Sequence, residues 1–396
     1  MTSLHSDRSH PTGITYARAR LWLGITGVGL QVVLSLILLL SAIPEQLGMG
    51  GEVTLGSEMA TVFVLLLIVA VIQLPFDLFG GYLVPAQYGR SLRPVRETLT
   101  KILAGVIVHT TLFVAIACLY LLIGSLFGIP GFIASYMTVS LLLVVGQRVS
   151  AALVGTFSMH RPTGEGSLAD LSSALGHPLI AEVQDTSFVG GVVIDGRRRR
   201  AIIPKFWDRS LSPTTRGFAL ARRAVLMGSP AWVVAPLLSL LFNFLGFALF
   251  LLIIQPTAVT STTVIQLSCW STIWSFLGLL ILPSLNRPAV FALDALAVSQ
   301  GIQITDAQSA IHELDKLQEE EPSRSEWVER IFHPIPSAER RKQNLTDSSP
   351  ASSALLVFHQ IVRRMLYLSW ANLNLLSRSV HCNVGKPECW VLFPGD

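Results

Sequence analysis

The stretch SPTTRGFALARRAVLM, residues 212–227, joins a polar segment to a long apolar run and predicts a helix. Ser212 suits the N-cap, and Pro213 suits the first turn, where its missing N–H costs no hydrogen bond. Apolar residues fill much of the remainder, yet Arg222 and Arg223 stand side by side at its centre. We expect this helix to be the place where the function of the chain is carried out or has been lost.

The composition is that of a membrane protein. The chain has 396 residues, of which 51% are hydrophobic and 14% charged, whereas soluble domains carry about 25% charge. The net charge of +4 comes mostly from arginines beside apolar runs, which argues for membrane orientation and against a nucleic-acid partner. Four cysteines do not form a disulfide framework. Cys382 and Cys389, with His381 beside them, offer too few ligands for a metal site.

Six apolar runs, each near the roughly 20 residues that cross the hydrocarbon core, predict six transmembrane helices. Four lie within 21–149, at about 21–43, 59–84, 102–127 and 132–149, and two within 230–283, at about 231–254 and 264–282. A tight Gly-Ile-Pro-Gly turn, 128–131, is predicted between the third and the fourth. Arg and Lys are frequent in 1–20, 85–101, 150–229 and 284–396 and absent from 44–58, 128–131 and 255–263. The positive-inside rule therefore places both termini and the soluble segments in the cytoplasm, and we expect a plasma (inner) membrane.

The soluble segments predict a small α+β cytoplasmic domain. Within 150–229, a strand is predicted at 180–186 and a hairpin over 188–203, with Asp195-Gly196 at the turn. Residues 284–396 are mainly helical. The stretch 355–376 is apolar, but two central arginines, Arg363 and Arg364, oppose a seventh span. We expect a helix that lies on the membrane surface or packs on the soluble domain.

Isolated polar residues near the spans do not indicate a transporter. Asp77 follows Pro75 and is expected at the interface, where water can reach it, and His109 is expected to hydrogen-bond between helices. No chain of such groups runs through the spans. The arginines at 197–200 form a hairpin tip that either contacts anionic lipid or stays solvated and opposes edge pairing.

Several stretches resemble the integral-membrane zinc peptidases of the CAAX prenyl protease type. LPFDLFGGYLVPAQYGRS (74–91) resembles the family's linker between spans. NRPAVFALDALAVSQGI (286–302), AIHELDKL (310–317) and FHPIPSAERRKQNL (332–345) follow the order of its closing motifs. The resemblance covers roughly 60–345 and depends on the order and spacing of these motifs.

The resemblance implies a buried zinc protease, in which H-E-x-x-H supplies two ligands and a general base, and a later E-x-x-x-D helix supplies a third ligand. This chain departs from the pattern at each of these positions. Arg222 and Leu226 stand at the histidines, Arg223 at the base and Val290 at the third ligand. The aspartate remains as Asp294. No H-E-x-x-H occurs in the chain, and His312-Glu313 is followed by Lys316 at the second ligand position, so we interpret it as a surface pair.

The resemblance therefore implies a catalytically inactive homologue, or pseudopeptidase, that binds or regulates. We expect no cofactor. We expect membrane lipid as a partner and a membrane protein as a further possible partner. Arg222 is expected either to pair with Asp294 in place of the metal or to bind an anion. His333 and Arg340 match family positions near the cleft and are interpreted as structural remnants. The alternative is an active zinc endopeptidase with a noncanonical site, and zinc is expected only in that case.

Overall fold

Helices dominate the computed structural model of the chain. It describes residues 14–48, 54–88, 94–145, 159–160, 179–183, 193–195, 200–204, 207–227, 231–318, 323–333, 335–347 and 353–374. The helices are α1 Tyr16–Leu40, α2 Ile43–Gly48, α3 Leu55–Leu78, a π-helical turn Phe79–Leu83, α4 Val84–Gln87, α5 Val95–Val145, α6 Trp207–Ser210, α7 Pro213–Met227, α8 Ala231–Ile254, α9 Ser261–Ser299, α10 Ile304–Gln318, α11 Glu326–Phe332, α12 Ala338–Asp347 and α13 Ser353–Asn374. The strands are β1 Met159–His160, β2 Leu179–Val183, β3 Val193–Asp195 and β4 Arg200–Pro204.

Five helices in the described part of the chain are long and apolar enough to cross a membrane. They are Tyr16–Leu40, Leu55–Gln87, Thr110–Leu142, Val234–Ile254 and Ser261–Ser299. The third of these contains two predicted spans, because α5 reverses at the predicted Gly-Ile-Pro-Gly turn. The six predicted runs therefore lie on five continuous helices.

The reversal of α5 depends on Gly128, whose φ of 61° and ψ of −154° interrupt the helix. Tyr120 and Tyr136 lie on opposite sides of this residue, and their ring centroids are 6.2 Å apart. In one straight helix the two residues would be separated by roughly 24 Å, at about 1.5 Å per residue. The two arms of α5 therefore fold back on each other.

The chain divides into two compact units, and we describe each by itself. The first comprises Met1–Ser150, Asn243–Phe276 and Ala371–Glu388. Its core is rich in aromatic residues, including Phe132, Phe247 and Phe250, and the rings of Tyr136 and Phe247 stack with centroids 3.9 Å apart. Glu58 accepts a hydrogen bond from the first backbone N–H of α9, where the positive end of the helix dipole favours a carboxylate.

The second unit comprises Ala151–Phe242, Leu277–Trp370 and Cys389–Asp396. It contains a four-stranded sheet in the order β1-β2-β4-β3. β3 and β4 are antiparallel, and Asp195 pairs with Arg200 across the predicted hairpin. β2 is parallel to β4. The helices of this unit share a core of buried residues from α6, α7, α9, α10 and α12, among them Trp207, Phe218, Ala297, Ile311 and Leu345.

Helix α9 is longer than the sequence predicts. The predicted span ends at 282, but the helix continues through Pro283 and Pro288 to Ser299. Each proline removes one backbone donor. The continuation is stabilised by packing of its buried residues, which include Val290 and Leu293. The last span and the helix that carries Asp294 are therefore one element.

Helix α13, predicted at 355–376, packs antiparallel to α9. A Cβ atom added to Gly278 of α9 would lie 2.5 Å from Ser369 Oγ, so the two helices approach closely at this point. Further along, His359 Nδ1 lies 2.7 Å from Asn286 Oδ1, and Leu356 packs against Leu293. Helix α13 therefore packs along α9, including the part predicted as the last span, whereas the sequence predicts the membrane surface or the soluble domain.

One polar prediction is wrong, and others fall outside the described residues. Asp77 is 1% exposed, and Gln73, one turn earlier on α3, is equally buried. Asp77 therefore faces the interior of the first unit and is not hydrated at an interface. The side chain of His109, residues 381–389 with their two cysteines, and the hairpin tip 196–199 lie outside the described residues.

We predict that Gly128→Ala destabilises the protein by about 1–3 kcal/mol, because this backbone conformation is nearly exclusive to glycine. Space is not the cause, since an added Cβ would meet only Pro130 Cδ at 3.9 Å. Gly29→Ala in α1 is the matched control, because an added Cβ there has no atom within 4 Å and alanine favours a helix interior. Thermal unfolding in detergent measures both changes, and equal effects would contradict the prediction.

Candidate functional site

Asp294 lies on the part of α9 beyond the predicted span, in the interior of the second unit. It is 1% exposed. Val290, one helical turn earlier on the same face, is equally buried. A carboxylate in such surroundings is stable only when its charge is balanced and its oxygens accept hydrogen bonds.

Two arginines balance this charge. Arg341 of α12 donates two parallel hydrogen bonds, from Nε to Asp294 Oδ2 and from Nη2 to Oδ1, each 2.8 Å long. This is the bidentate geometry that matches a guanidinium to a carboxylate. Arg222 of α7 approaches from another helix, with its Nε 2.7 Å from Oδ1. Its guanidinium also lies over the ring of Phe218, 5.9 Å from the centroid. One carboxylate thus connects α7, α9 and α12.

A second buried carboxylate, Glu329 of α11, binds α9 two turns before Asp294. Glu329 has no exposed surface. Arg287 of α9 donates a hydrogen bond from Nη2 to Glu329 Oε1. Arg340 Nη1 lies 3.7 Å from the same oxygen. Residues 287 and 294 are seven apart, so both ion-pair clusters lie on one face of α9.

The position of α7 is set at its N-terminus. Ser212 Oγ accepts a hydrogen bond from Thr215 N at 3.2 Å, which confirms the predicted cap. Glu313 of α10 extends the cap, because it accepts from Ser212 N at 3.0 Å and from Ser212 Oγ at 2.9 Å. Our interpretation of His312-Glu313 as a surface pair is therefore half wrong. His312 is exposed, but Glu313 anchors α7.

The structure brings together only part of the predicted site. Arg222 and Asp294 meet, as one of the two alternatives for Arg222 predicts. The side chains of Arg223 and Leu226 lie outside the described residues. His333 is half-buried, and Arg340 contacts Glu329. The cluster residues that sequence analysis missed are Arg287, Glu329 and Arg341.

A signal for Arg341 was present in the sequence. Ala338, Arg341 and Leu345 recur at intervals of three and four on α12, and all three are buried. A charged residue in register with apolar positions indicates a buried charge that needs a partner. Arg340 matches the family motif by residue type, but Arg341 is the arginine on the buried face of α12.

The described residues of this site do not fit zinc. A guanidinium has no lone pair to donate to a metal, and both oxygens of Asp294 accept hydrogen bonds from Arg341. No group of three or more His, Cys, Asp or Glu side chains in the described residues could hold a metal ion. The arrangement can hold three helices together.

Comparison with known proteins agrees with the fold. Residues 3–154 match the family described as CAAX prenyl protease N-terminal, five membrane helices. No curated protein matches the chain by sequence. The crystal structure of Ste24p from S. mikatae aligns with a TM-score of 0.62 at 13% identity, and the match covers 83% of this chain and 83% of that one. At this identity the similarity shows a shared fold.

The chain is therefore a multi-pass helical membrane protein of the metallopeptidase-related type. Its residues 3–154 match the CAAX prenyl protease N-terminal family, and the chain has the fold of Ste24p. The predicted resemblance is confirmed. The family is described with five membrane helices, whereas the described part of 3–154 contains four apolar helical segments. These segments are α1, the helix Leu55–Gln87 and the two halves of α5 on either side of Gly128.

We predict that Arg341→Ala lowers the free energy of unfolding by about 3 kcal/mol, because it leaves a buried carboxylate with one arginine. Arg330→Ala is the control. Arg330 forms an exposed ion pair with Glu326 on α11, and such a pair contributes only about 0.3–0.5 kcal/mol. Denaturant titration in detergent measures the free energy of unfolding of both variants. A decrease for Arg341→Ala as small as that for Arg330→Ala would contradict a stabilising ion pair between Arg341 and Asp294.

Proposed function

We propose that the protein is a pseudopeptidase, a catalytically inactive relative of the membrane zinc peptidases that is retained for binding or regulation. The observation that carries this proposal is the ion pair between Arg222 and Asp294. The family resemblance assigns Arg222 to the first metal ligand and Asp294 to the aspartate of the third-ligand helix. The guanidinium of Arg222, at the first ligand position, therefore pairs with Asp294, the aspartate of the E-x-x-x-D helix.

The chemistry of the replaced residues supports the same proposal. Zinc hydrolysis needs lone pairs on nitrogen, sulfur or oxygen to bind the metal and a base to accept a proton from water. Arginine stays protonated and offers neither. Leu226 and Val290 have hydrocarbon side chains. Each of the four assigned positions has therefore lost the group on which the reaction depends, and Val290 is buried as a core residue.

The membrane orientation, the number of spans, the soluble domain and the partners belong to the same proposal. We propose that both termini and a small α+β domain are cytoplasmic, that the protein lies in the plasma (inner) membrane, and that it has six spans. The distribution of Arg and Lys supports the orientation. The sheet β1–β4 supports a strand-containing domain. Membrane lipid and a membrane protein are the proposed partners.

Zinc content tests the assignment of the degenerate positions. We expect the purified protein to bind no stoichiometric zinc. We expect a variant that restores the family's ligands and base, Arg222→His with Arg223→Glu, Leu226→His and Val290→Glu, to bind about one zinc per chain with chelator-sensitive stability, because the four positions would then carry a complete donor set.

The matched control for this variant is Arg222→Ala with Arg223→Glu, Leu226→Ala and Val290→Glu, which lacks both histidines. Elemental analysis after size-exclusion chromatography measures zinc in folded protein only. Stoichiometric zinc in the natural protein would contradict the pseudopeptidase proposal. A folded four-substitution variant that binds no more zinc than its control would contradict the assignment of the positions.

A further inference from the structure

The short helix α11 is attached to α9 at the point where the apolar part of α9 ends. Residues 261–286 of α9 contain no charged side chain, and Arg287 is the first. Arg287 binds Glu329 of α11. Ser284 Oγ donates a hydrogen bond of 3.1 Å to the carbonyl oxygen of Arg330. Both attachments of α11, at Ser284 and Arg287, therefore fall within one turn of α9 at the end of its uncharged stretch.

An exposed apolar stripe on α9 leads up to this point. Leu277, Ile281 and Leu285 recur every four residues and are 45%, 57% and 46% exposed. Residues at this interval lie on one face of a helix. Such a stripe on a helix long and apolar enough to span a membrane fits contact with lipid acyl chains. Leu285 is the last of the three and lies between Ser284 and Arg287, the two residues of α9 that bind α11.

Trp327 of α11 is a large side chain that is 73% exposed. It lies two residues from the buried Glu329, on the side of the short helix that does not bind α9. Beside it, Glu326 and Arg330 form an exposed ion pair one turn apart. An indole that is flanked by charged groups is typical of the membrane–water interface, where its ring is buried among headgroups and its N–H stays hydrated.

We propose that α11 is an interfacial anchor, with Trp327 inserted into the headgroup region of the bilayer beside the end of the apolar part of α9. The partner is the lipid surface, because the attachment of α11 continues directly from the lipid-compatible stripe of α9. Through Glu329, this anchor holds the charged turn of α9 at the level of the headgroups. The proposal requires only a membrane protein and does not depend on the lost peptidase chemistry.

Spin-label depth measurements test the anchor in the full-length protein. The four native cysteines are changed to alanine, and single cysteines are introduced by Trp327→Cys, Ile281→Cys and His312→Cys. Ile281 lies on the apolar stripe, and His312 is exposed on α10. Each labelled protein is reconstituted in phosphatidylcholine vesicles. Collision rates with oxygen, which concentrates in lipid, and with a water-soluble nickel chelate then report depth.

We expect the ratio of oxygen to nickel collision rates at position 327 to be several-fold higher than at 312 and lower than at 281. A ratio equal to that at 312 would overturn the proposal, because the side chain would then be in water. Low collision rates with both reagents would also overturn it, because a protein surface and not lipid would then cover the residue.

A second measurement keeps the native tryptophan. Vesicles of lipids brominated near the headgroup quench indoles at that depth, and the variant Trp327→Phe keeps an aromatic ring without the fluorophore. We expect the wild-type protein to lose a larger fraction of its fluorescence than the variant in these vesicles. Equal fractional losses would contradict an interfacial Trp327.

Discussion

A single buried carboxylate that is shared by two guanidinium groups determines how the helices of the second unit fit together. Asp294 receives two hydrogen bonds from Arg341 and a close contact from Arg222. Transfer of these charges from water to the interior is costly, and it is offset only when the geometry is good and the oxygens are satisfied. The fork geometry of Arg341 meets that condition. The carboxylate therefore permits one arrangement of α7, α9 and α12.

Helix α9 carries a series of such directional contacts. Asn286 contacts His359, Arg287 binds Glu329 and Asp294 binds the two arginines. Apolar packing supplies most of the stabilisation but little direction. The polar contacts set the register, because a shift of one residue along α9 would leave buried charges without partners. Helix α9 is therefore the axis of a network of polar contacts in the second unit.

Much of this architecture could be predicted from the sequence. Hydropathy predicts the apolar helices, the Gly-Ile-Pro-Gly turn predicts the reversal at Gly128, and the motif order predicts the contact between Arg222 and Asp294. The ion pair of Arg341 and the burial of Asp77 were not predicted. Both residues were interpreted from their charge alone, and their positions on the buried faces of their helices were not considered. The continuation of α9 through two prolines depends on tertiary packing, which local preferences do not contain.

The central claim is that Arg222 and Asp294 form a tie that replaces the family's metal. A double-mutant cycle measures it most directly, with Arg222→Met, Asp294→Asn and the double variant compared by free energy of unfolding in detergent. The account predicts a favourable coupling of at least about 1 kcal/mol, within the range found for residues in one ion-pair network. A coupling near zero, with each single variant folded, would contradict it.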